Sequence, residues 1–197
     1  RVIYVHAERH KAYKYRRKNT VLTSRFGIEI EFTGITRNEA AGVTAEYLGG
    51  TITSTGDYYD TKKVIAPDGR IWKLMSDGSI SCQKRSGRQK VAATREYSVE
   101  LVSPILTYRE DIECLQELVR QLRKAGAFAN ASCGIHIHLD GSNHTPRSIR
   151  NFINIIASKN DLFYKALQIA PERMNYCKKM DSILVDKMNR RKPKNMR

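Results

Sequence analysis

The stretch RFGIEIEFTG, residues 25–34, places two glutamates with one residue between them inside an apolar run. Side chains of a strand alternate between its two faces, so the apolar side chains from Phe26 to Phe32 would share one face. Glu29 and Glu31 would then lie together on the other face. Two like charges side by side repel each other, so this second face requires either water or a cation.

Three later segments repeat this two-faced pattern. The residues placed on the polar face are Lys73, Met75 and Asp77 in IWKLMSD, Glu96, Ser98 and Glu100 in REYSVELV, and His136, His138 and Asp140 in CGIHIHLD. Their apolar neighbours are Trp72, Leu74, Val99, Leu101, Ile135, Ile137 and Leu139. If the four strands form one sheet, helices cover its apolar side. The other side then becomes a wall lined by Glu29, Glu31, Glu100, His136 and His138.

This polar face has two interpretations. An antiparallel sheet with one solvated face is common. Such faces usually mix Lys or Thr among their acids, whereas the pairs here are Glu-x-Glu and His-x-His. Alternation alone leaves a solvated face and a metal site open. For a metal, three carboxylates and one imidazole favour Mg²⁺ or Mn²⁺, and the two imidazoles of one strand leave zinc as an alternative.

Helical patterns lie between these strands. TRNE at residues 36–39 has the form of a capping box and starts a short helix. Apolar residues at helical spacing predict an amphipathic helix over about 108–125, and Thr145 with Pro146 starts another long helix. We therefore predict an α+β fold in which helices cover one face of a mainly antiparallel sheet.

The formal net charge of +15 lies mostly at the two ends of the chain. Residues 1–25 carry +7 and residues 171–197 carry +6, whereas residues 26–170 carry +2. Basic runs of this kind bind phosphates or nucleic acid through counterion release, and they equally serve to keep a protein in solution. Nucleic acid is therefore a candidate partner through the ends, although no zinc finger, aromatic RNA platform or heptad basic region accompanies them.

The four cysteines are widely spaced and include no CxxC pair. This spacing argues against a zinc knuckle and favours a reduced, cytoplasmic protein. No apolar run is long enough to cross a bilayer, so we expect no membrane contact. The 197 residues are enough to bury the core of one domain.

Four motifs in order, FGIEIEF, DGSI, VELVSPIL and CGIHIHLD, resemble those of the amidoligase family. These are carboxylate–amine ligases related to glutamine synthetase and γ-glutamylcysteine ligase. The resemblance implies a curved, glutamine-synthetase-like catalytic sheet that forms an amide or peptide bond from a carboxylate and an amine, using ATP and an acyl phosphate. It suggests a basic N-terminal arm (1–25), an amidoligase-like catalytic domain (26–177) and a basic C-terminal tail (178–197).

The resemblance also implies which residues bind metal. Glu29 and Glu31 match the family's Glu-x-Glu, whose members bind separate divalent cations, Mg²⁺ or Mn²⁺. Glu100 matches the acidic ligand that precedes LVSP, and His136 matches the metal-binding first histidine of the Gly-x-His-x-His strand. Cations would then explain how two glutamates are tolerated on one face.

Other positions are implied to contact nucleotide or substrate. His138 matches the second histidine, which faces the phosphates of ATP. Asp77 lies in the DGS turn and would contact the amine substrate or a cation. Lys73 and Arg95 would contact phosphate, and with Asp77 they are the candidate catalytic residues.

One part of the family pattern is not present. A strand with arginines normally follows the helical region and helps to close the nucleotide site, but this chain ends at RRKPKNMR without one. That strand therefore belongs to sequence outside this chain, comes from a partner, or is lacking. Loops such as 53–62 and 83–94 would select the substrates, and SGRQK at 86–90 is expected to be mobile.

The sequence is also compatible with two further function classes. The basic ends suit a nucleic-acid-binding or assembly protein that keeps an inactive ligase-like core. The His-x-His pair, His136 and His138, suits a zinc-dependent hydrolase.

Overall fold

The computed structural model describes residues 24–169 and 171–195, so most of the predicted N-terminal arm lies outside the described residues. The strands are, in chain order, Arg25–Phe32 (β1), Thr51–Ser54 (β2), Lys62–Ile65 (β3), Ile71–Met75 (β4), Gln83–Ser86 (β5), Gln89–Ala92 (β6), Val99–Val102 (β7), Leu106–Thr107 (β8) and Ile135–Leu139 (β9). The helices are Arg37–Leu48 (α1), Tyr108–Lys124 (α2), Pro146–Leu167 (α3) and Ser182–Arg191 (α4). Two 3₁₀ turns span Arg95–Tyr97 and Pro171–Arg173.

The sheet is built around β1. β7 pairs with one edge of β1 and is followed outward by β4, β3 and β2, while β9 pairs with the opposite edge. β8 pairs with the first two residues of β1, on the same edge as β7. Every pairing in this sheet is antiparallel. The predicted α+β class and mainly antiparallel sheet are therefore confirmed.

Helices α1 and α2 cover one face of this sheet. α1 contacts β2, β3 and β4, whereas α2 contacts α1 and β8. The predicted capping box starts α1, because the Thr36 side chain accepts from the Glu39 N–H and Glu39 accepts from the Thr36 N–H. Between the helices and the sheet lies a core whose fully buried members include Val64, Trp72, Leu74, Val99, Leu101, Leu106 and Leu118.

The apolar side of β9 departs from the prediction that helices cover it. Ile135, Ile137 and Leu139 are 62%, 63% and 70% exposed. The helix that follows β9, α3, packs instead against α4, where Asn154 and Asn189 exchange side-chain hydrogen bonds of 2.9 and 2.8 Å. α3 therefore packs against α4, and the apolar face of β9 is exposed to solvent.

The predicted strand before β7 is also interrupted. Arg95–Tyr97 forms a 3₁₀ turn, so Glu96 does not share a strand face with Glu100. The cause is the buried Arg37 at the start of α1, whose guanidinium donates to the carbonyls of Arg95 and Ser98 at 2.6 and 2.9 Å. Those contacts hold the chain in a turn until β7 begins.

The segment predicted to be a mobile loop at 86–90 is the tip of a β-hairpin. Strands β5 and β6 pair antiparallel from Gln83 with Ala92 to Ser86 with Gln89. The connection is two residues long, and Gly87 adopts φ 59°, a conformation that glycine takes without steric cost. Apolar alternation does not mark this hairpin, because its strands carry mainly charged and polar side chains.

In the described part of the chain, no helix is both long and apolar enough to span a membrane. The four cysteines are free thiols.

Candidate metal centre

The predicted metal ligands lie on one face of the sheet, opposite the helices. Residues directly across from each other on neighbouring strands point to the same face. Glu31 faces Glu100 across β1 and β7, and Glu29 faces His136 across β1 and β9. The strand pairing therefore brings all four of these side chains together, as the alternation predicts.

His136 lies between the two glutamates of β1. Its Nδ1 is 2.9 Å from Glu29 Oε2, and its Nε2 is 3.8 Å from Glu31 Oε1. Each ring nitrogen of His136 thus faces a carboxylate oxygen, so the imidazole lies between two acidic side chains. The other histidine of the pair, His138, reaches Glu29 Oε1 with its Nε2 at 3.1 Å and is more exposed.

Glu31 is the most deeply buried of the four, with 2% of its side chain exposed. Its Oε2 accepts a 2.6 Å hydrogen bond from the N–H of Gly134, just before β9. Its backbone N–H in turn donates to the Gly134 carbonyl at 3.0 Å. The first bond fixes the direction of the Glu31 carboxylate, and the second holds the Gly134 backbone beside β1.

Arg173 contacts this site and was not identified from the sequence. Its guanidinium lies 3.8 Å from Glu31 Oε2, donates to the Ser132 carbonyl at 2.6 Å and stacks on the Tyr176 ring. The close approach depends on Gly134, since a Cβ at that position would lie 2.4 Å from the Arg173 Nη2. No local pattern marks this arginine as part of the site, because Ser132 and Glu31 are far from it in the sequence.

Glu100 and Asp77 meet at the junction of β4 and β7. The hydroxyl of the buried Ser98 donates to the Asp77 carbonyl at 2.6 Å and accepts from the Asp77 N–H at 2.9 Å. Asp77 Oδ1 also accepts from the Ser79 N–H, which shapes the DGS turn. Burial, together with the charges of Glu29, Asp77 and Glu31, raises the pKa of Glu100 to about 7.

Two groups of potential ligand atoms share Glu100. Glu29, Glu100 and His136 form one group, and Glu31, Asp77 and Glu100 form the other. Within each group the ligand atoms lie within 4.8 Å of one another. The donors are carboxylate oxygens and one imidazole nitrogen, a set that fits hard divalent cations such as Mg²⁺ and Mn²⁺. Burial and the neighbouring carboxylates Glu29, Asp77 and Glu31 disfavour the charged form of Glu100, and a bound cation would offset both effects.

Lys73 lies on the same face as the ligands, in line with Glu29. Lys73 pairs with Val102, which pairs with Glu29 on the next strand. Two strand spacings separate the lysine from the glutamate, or about 10 Å between their Cα atoms. On its other side Lys73 faces Lys63 of β3, a second basic residue on this face of the sheet.

Arg95 is an exposed residue, but its guanidinium is fixed by contacts with other parts of the protein. One of its guanidinium nitrogens donates to the Tyr58 carbonyl and to the Ser76 hydroxyl, and the guanidinium stacks on the Tyr58 ring at 4.5 Å. Arg95 thus joins the loop before β3 to the end of β4. Its predicted contact with phosphate stays a prediction, as does the role of Lys73.

No curated protein and no solved structure matches this chain. The sequence model of the family described as "Putative amidoligase enzyme" matches residues 22–197, which include every candidate ligand and the helices that follow β9. On the strength of that match, the chain belongs to this amidoligase family.

Proposed function

We propose that this protein is an ATP-dependent carboxylate–amine ligase that requires Mg²⁺ or Mn²⁺. The observation that carries the proposal is the pair of three-ligand groups joined by the buried Glu100. Membership of the amidoligase family supports the reaction class. The proposal includes a glutamine-synthetase-like catalytic sheet, in which the face that carries the candidate ligands binds the reactants.

The roles of the ligands follow from their positions. Glu29 and His136 would hold one cation at the β9 side, Glu31 and Asp77 would hold the other at the β4 side, and Glu100 would contribute to both. When bound, such cations would neutralise the charge that develops as the γ-phosphoryl of ATP is transferred to a substrate carboxylate, with ADP as the leaving group. An amine would then displace phosphate from the acyl phosphate, giving the amide, inorganic phosphate and a proton.

The flanking residues would position the reactants. Lys73 faces the same space as the ligands and would pair with phosphate or with the substrate carboxylate. His138 would contact phosphate beyond Glu29. The Gly134 N–H and Arg173 keep Glu31 pointed at its cation, because together they occupy one oxygen of its carboxylate.

A zinc hydrolase based on the two histidines is less well supported. In the described residues, His136 and His138 do not occur together in a group of three ligand atoms within 4.8 Å. Metal analysis of the purified protein discriminates between the two functions. Tightly bound zinc at about one ion per chain would favour the hydrolase.

Thermal unfolding with Mg²⁺–ATP tests the ligase directly. A ligand at about 100 times its Kd stabilises a protein by about 2.7 kcal/mol, so Mg²⁺–ATP or Mn²⁺–ATP should raise the Tm. Glu29→Gln keeps the shape of the side chain but removes the charge that holds the cation, and it should abolish most of this rise. Glu113→Gln, at an exposed position of α2, is the matched control and should respond like the wild type.

Two results would contradict the proposal. One is a wild-type protein whose Tm is unchanged by both nucleotide–metal complexes. The other is an unaltered response in both Glu29→Gln and Glu31→Gln when the wild type does respond. Turnover is then measured as ADP release from ATP in the presence of pooled amino acids and polyamines.

A further inference from the structure

The β5–β6 hairpin concentrates positive charge, and its root contacts residues next to the candidate metal centre. Its ten residues, Gln83–Ala92, contain four cations and no acidic residue. These cations are Lys84, Arg85, Arg88 and Lys90. All four residues are exposed, and none of them forms an ion pair within residues 24–169 and 171–195.

Two of these cations are held close together. Arg85 and Lys90 face each other across the hairpin, a like-charge pairing that disfavours the folded hairpin. Both lie over the ring of Phe128, at 5.3 and 4.3 Å from its centroid. The aromatic ring thus keeps two positive charges together at a place where their mutual repulsion would separate them.

The hairpin starts at the Glu31 end of the site. Thr33 follows Glu31 on the same face of the β1 path, and its hydroxyl donates to the Gln83 carbonyl at 2.8 Å and accepts from the Gln83 N–H at 2.9 Å. The Gly34 N–H also donates to the Gln83 carbonyl. The root of the hairpin is therefore fixed within a few residues of the metal ligands.

A second connection joins the hairpin root to Glu31. The Ser81 N–H donates to the Ser132 hydroxyl, and the Ser132 carbonyl accepts from Arg173, which lies beside Glu31. Two sets of hydrogen bonds therefore connect the root of the hairpin to the ligand cluster. The carboxylates of the cluster and the phosphates of a bound nucleotide are negative, so positive charge on the hairpin would favour the approach of an acidic substrate.

We propose that the hairpin binds an acidic peptide, rich in glutamate or aspartate, and delivers one of its carboxylates to the active site. This proposal rests on the proposed ligase function, and it names the class of the carboxylate substrate. The cations Lys84, Arg85, Arg88 and Lys90 pair with the side-chain carboxylates that do not react.

The hairpin suits a peptide better than a nucleic acid. Strands β5 and β6 pair only with each other in the described part of the chain, which leaves strand edges where an extended peptide can add main-chain hydrogen bonds. Single-stranded nucleic acids are bound with aromatic stacking platforms. The hairpin itself has no aromatic residue, and the neighbouring rings of Phe128 and Tyr97 already have Arg85, Lys90 and Lys84 over them.

The test is a fluorescence anisotropy titration with a labelled oligoglutamate peptide, in buffer of low ionic strength without nucleotide or divalent cation. The hairpin variant replaces Lys84, Arg85, Arg88 and Lys90 with Gln. Its matched control replaces the same number of exposed cations near the C-terminus with Gln, namely Arg190, Arg191, Lys192 and Lys194. The two variants have the same net charge, so they separate a specific site from general attraction to a basic protein.

The hairpin variant should bind the peptide about tenfold more weakly than the wild type, while the control stays within about twofold. A double variant, Lys84→Gln with Arg88→Gln, leaves the Phe128 contacts intact and should show an intermediate loss if the fourfold variant does not fold. Equal affinities for the wild type and the hairpin variant, or equal losses in the hairpin and control variants, would overturn the proposal.

An oligonucleotide of the same charge provides the other decisive comparison. The wild type should bind it more weakly than the peptide. Tighter binding of the oligonucleotide that is lost in the hairpin variant would make the hairpin a nucleic-acid contact and would overturn the peptide assignment. Because these titrations contain neither ATP nor metal, their outcome is independent of the Mg²⁺–ATP test, and failure of one proposal is distinguishable from failure of the other.

Discussion

At the scale of single residues, Glu100 is buried and lies close to three other carboxylates, those of Glu29, Glu31 and Asp77. Its pKa rises from 4.5 to about 7, so between these values the folded protein holds a proton on Glu100 that the unfolded chain releases. The folded state then binds more protons, and stability decreases as the pH rises through this range. Above about pH 7 the folded protein carries the full cost of the buried charge unless a cation is bound.

Glu100→Gln should therefore stabilise the metal-free protein in a pH-dependent way. One pKa unit corresponds to about 1.4 kcal/mol, and after allowance for screening by water we expect a gain of about 1–3 kcal/mol above pH 7. The gain should shrink toward pH 5, where Glu100 is already protonated in the folded protein. The measurement is urea unfolding in EDTA at several pH values. A difference from the wild type that does not vary with pH would contradict this account.

At the scale of secondary structure elements, the turn after β1 connects the main sheet to the root of the β5–β6 hairpin. Gly34 has φ 99°, and a Cβ there would lie 2.5 Å from the Gly126 carbonyl oxygen and 2.6 Å from the ring of Phe128. Its N–H also donates to the Gln83 carbonyl at the hairpin root. Any side chain at this position must displace backbone or the aromatic ring that holds the hairpin cations.

Gly34→Ala should destabilise the protein by about 2 kcal/mol or more, because it combines backbone strain with a steric clash. Gly42→Ala is the control, since Gly42 lies within α1 and a Cβ there meets no atom within 4 Å. That change should be neutral or stabilising by up to about 1 kcal/mol, as glycine is a poor helix residue. Chemical denaturation of both variants measures the contrast, and equal stabilities would refute it.

At the scale of the whole molecule, the sheet is covered unevenly. The core lies under α1 and α2, where Leu101 of β7 is fully buried. The apolar face of β9 is open, and Ile137 at its centre is 63% exposed. The ligand cluster spans both regions, since Glu100 belongs to β7 and His136 to β9.

Two substitutions should show this difference in the free energy of unfolding. Leu101→Ala should cost about 2–5 kcal/mol, because it creates a cavity in the packed core. Ile137→Thr should change the stability by less than about 0.5 kcal/mol, because the side chain is already in water and threonine suits a strand. A loss of several kcal/mol for Ile137→Thr would mean that the face of β9 is covered in solution.

The sequence by itself determined the features that depend on near neighbours. The capping box of α1 needs only Thr36 and Glu39, and the length of α2 follows from apolar residues at helical spacing. Alternation along single strands was also enough to put Glu29 and Glu31 on one face. The family could be inferred from four short motifs, and the match over residues 22–197 confirmed it.

The tertiary structure decided how these segments meet. Glu31 is oriented by Gly134, a residue 103 positions away, and by Arg173 still further along the chain. The 3₁₀ turn at Arg95–Tyr97 follows from a guanidinium on another element, Arg37. Periodicity and capping report only on residues within one or two turns, so they contain no information about such distant partners. The open face of β9 has the same cause, because its alternation predicts an apolar side but not whether a helix lies against it.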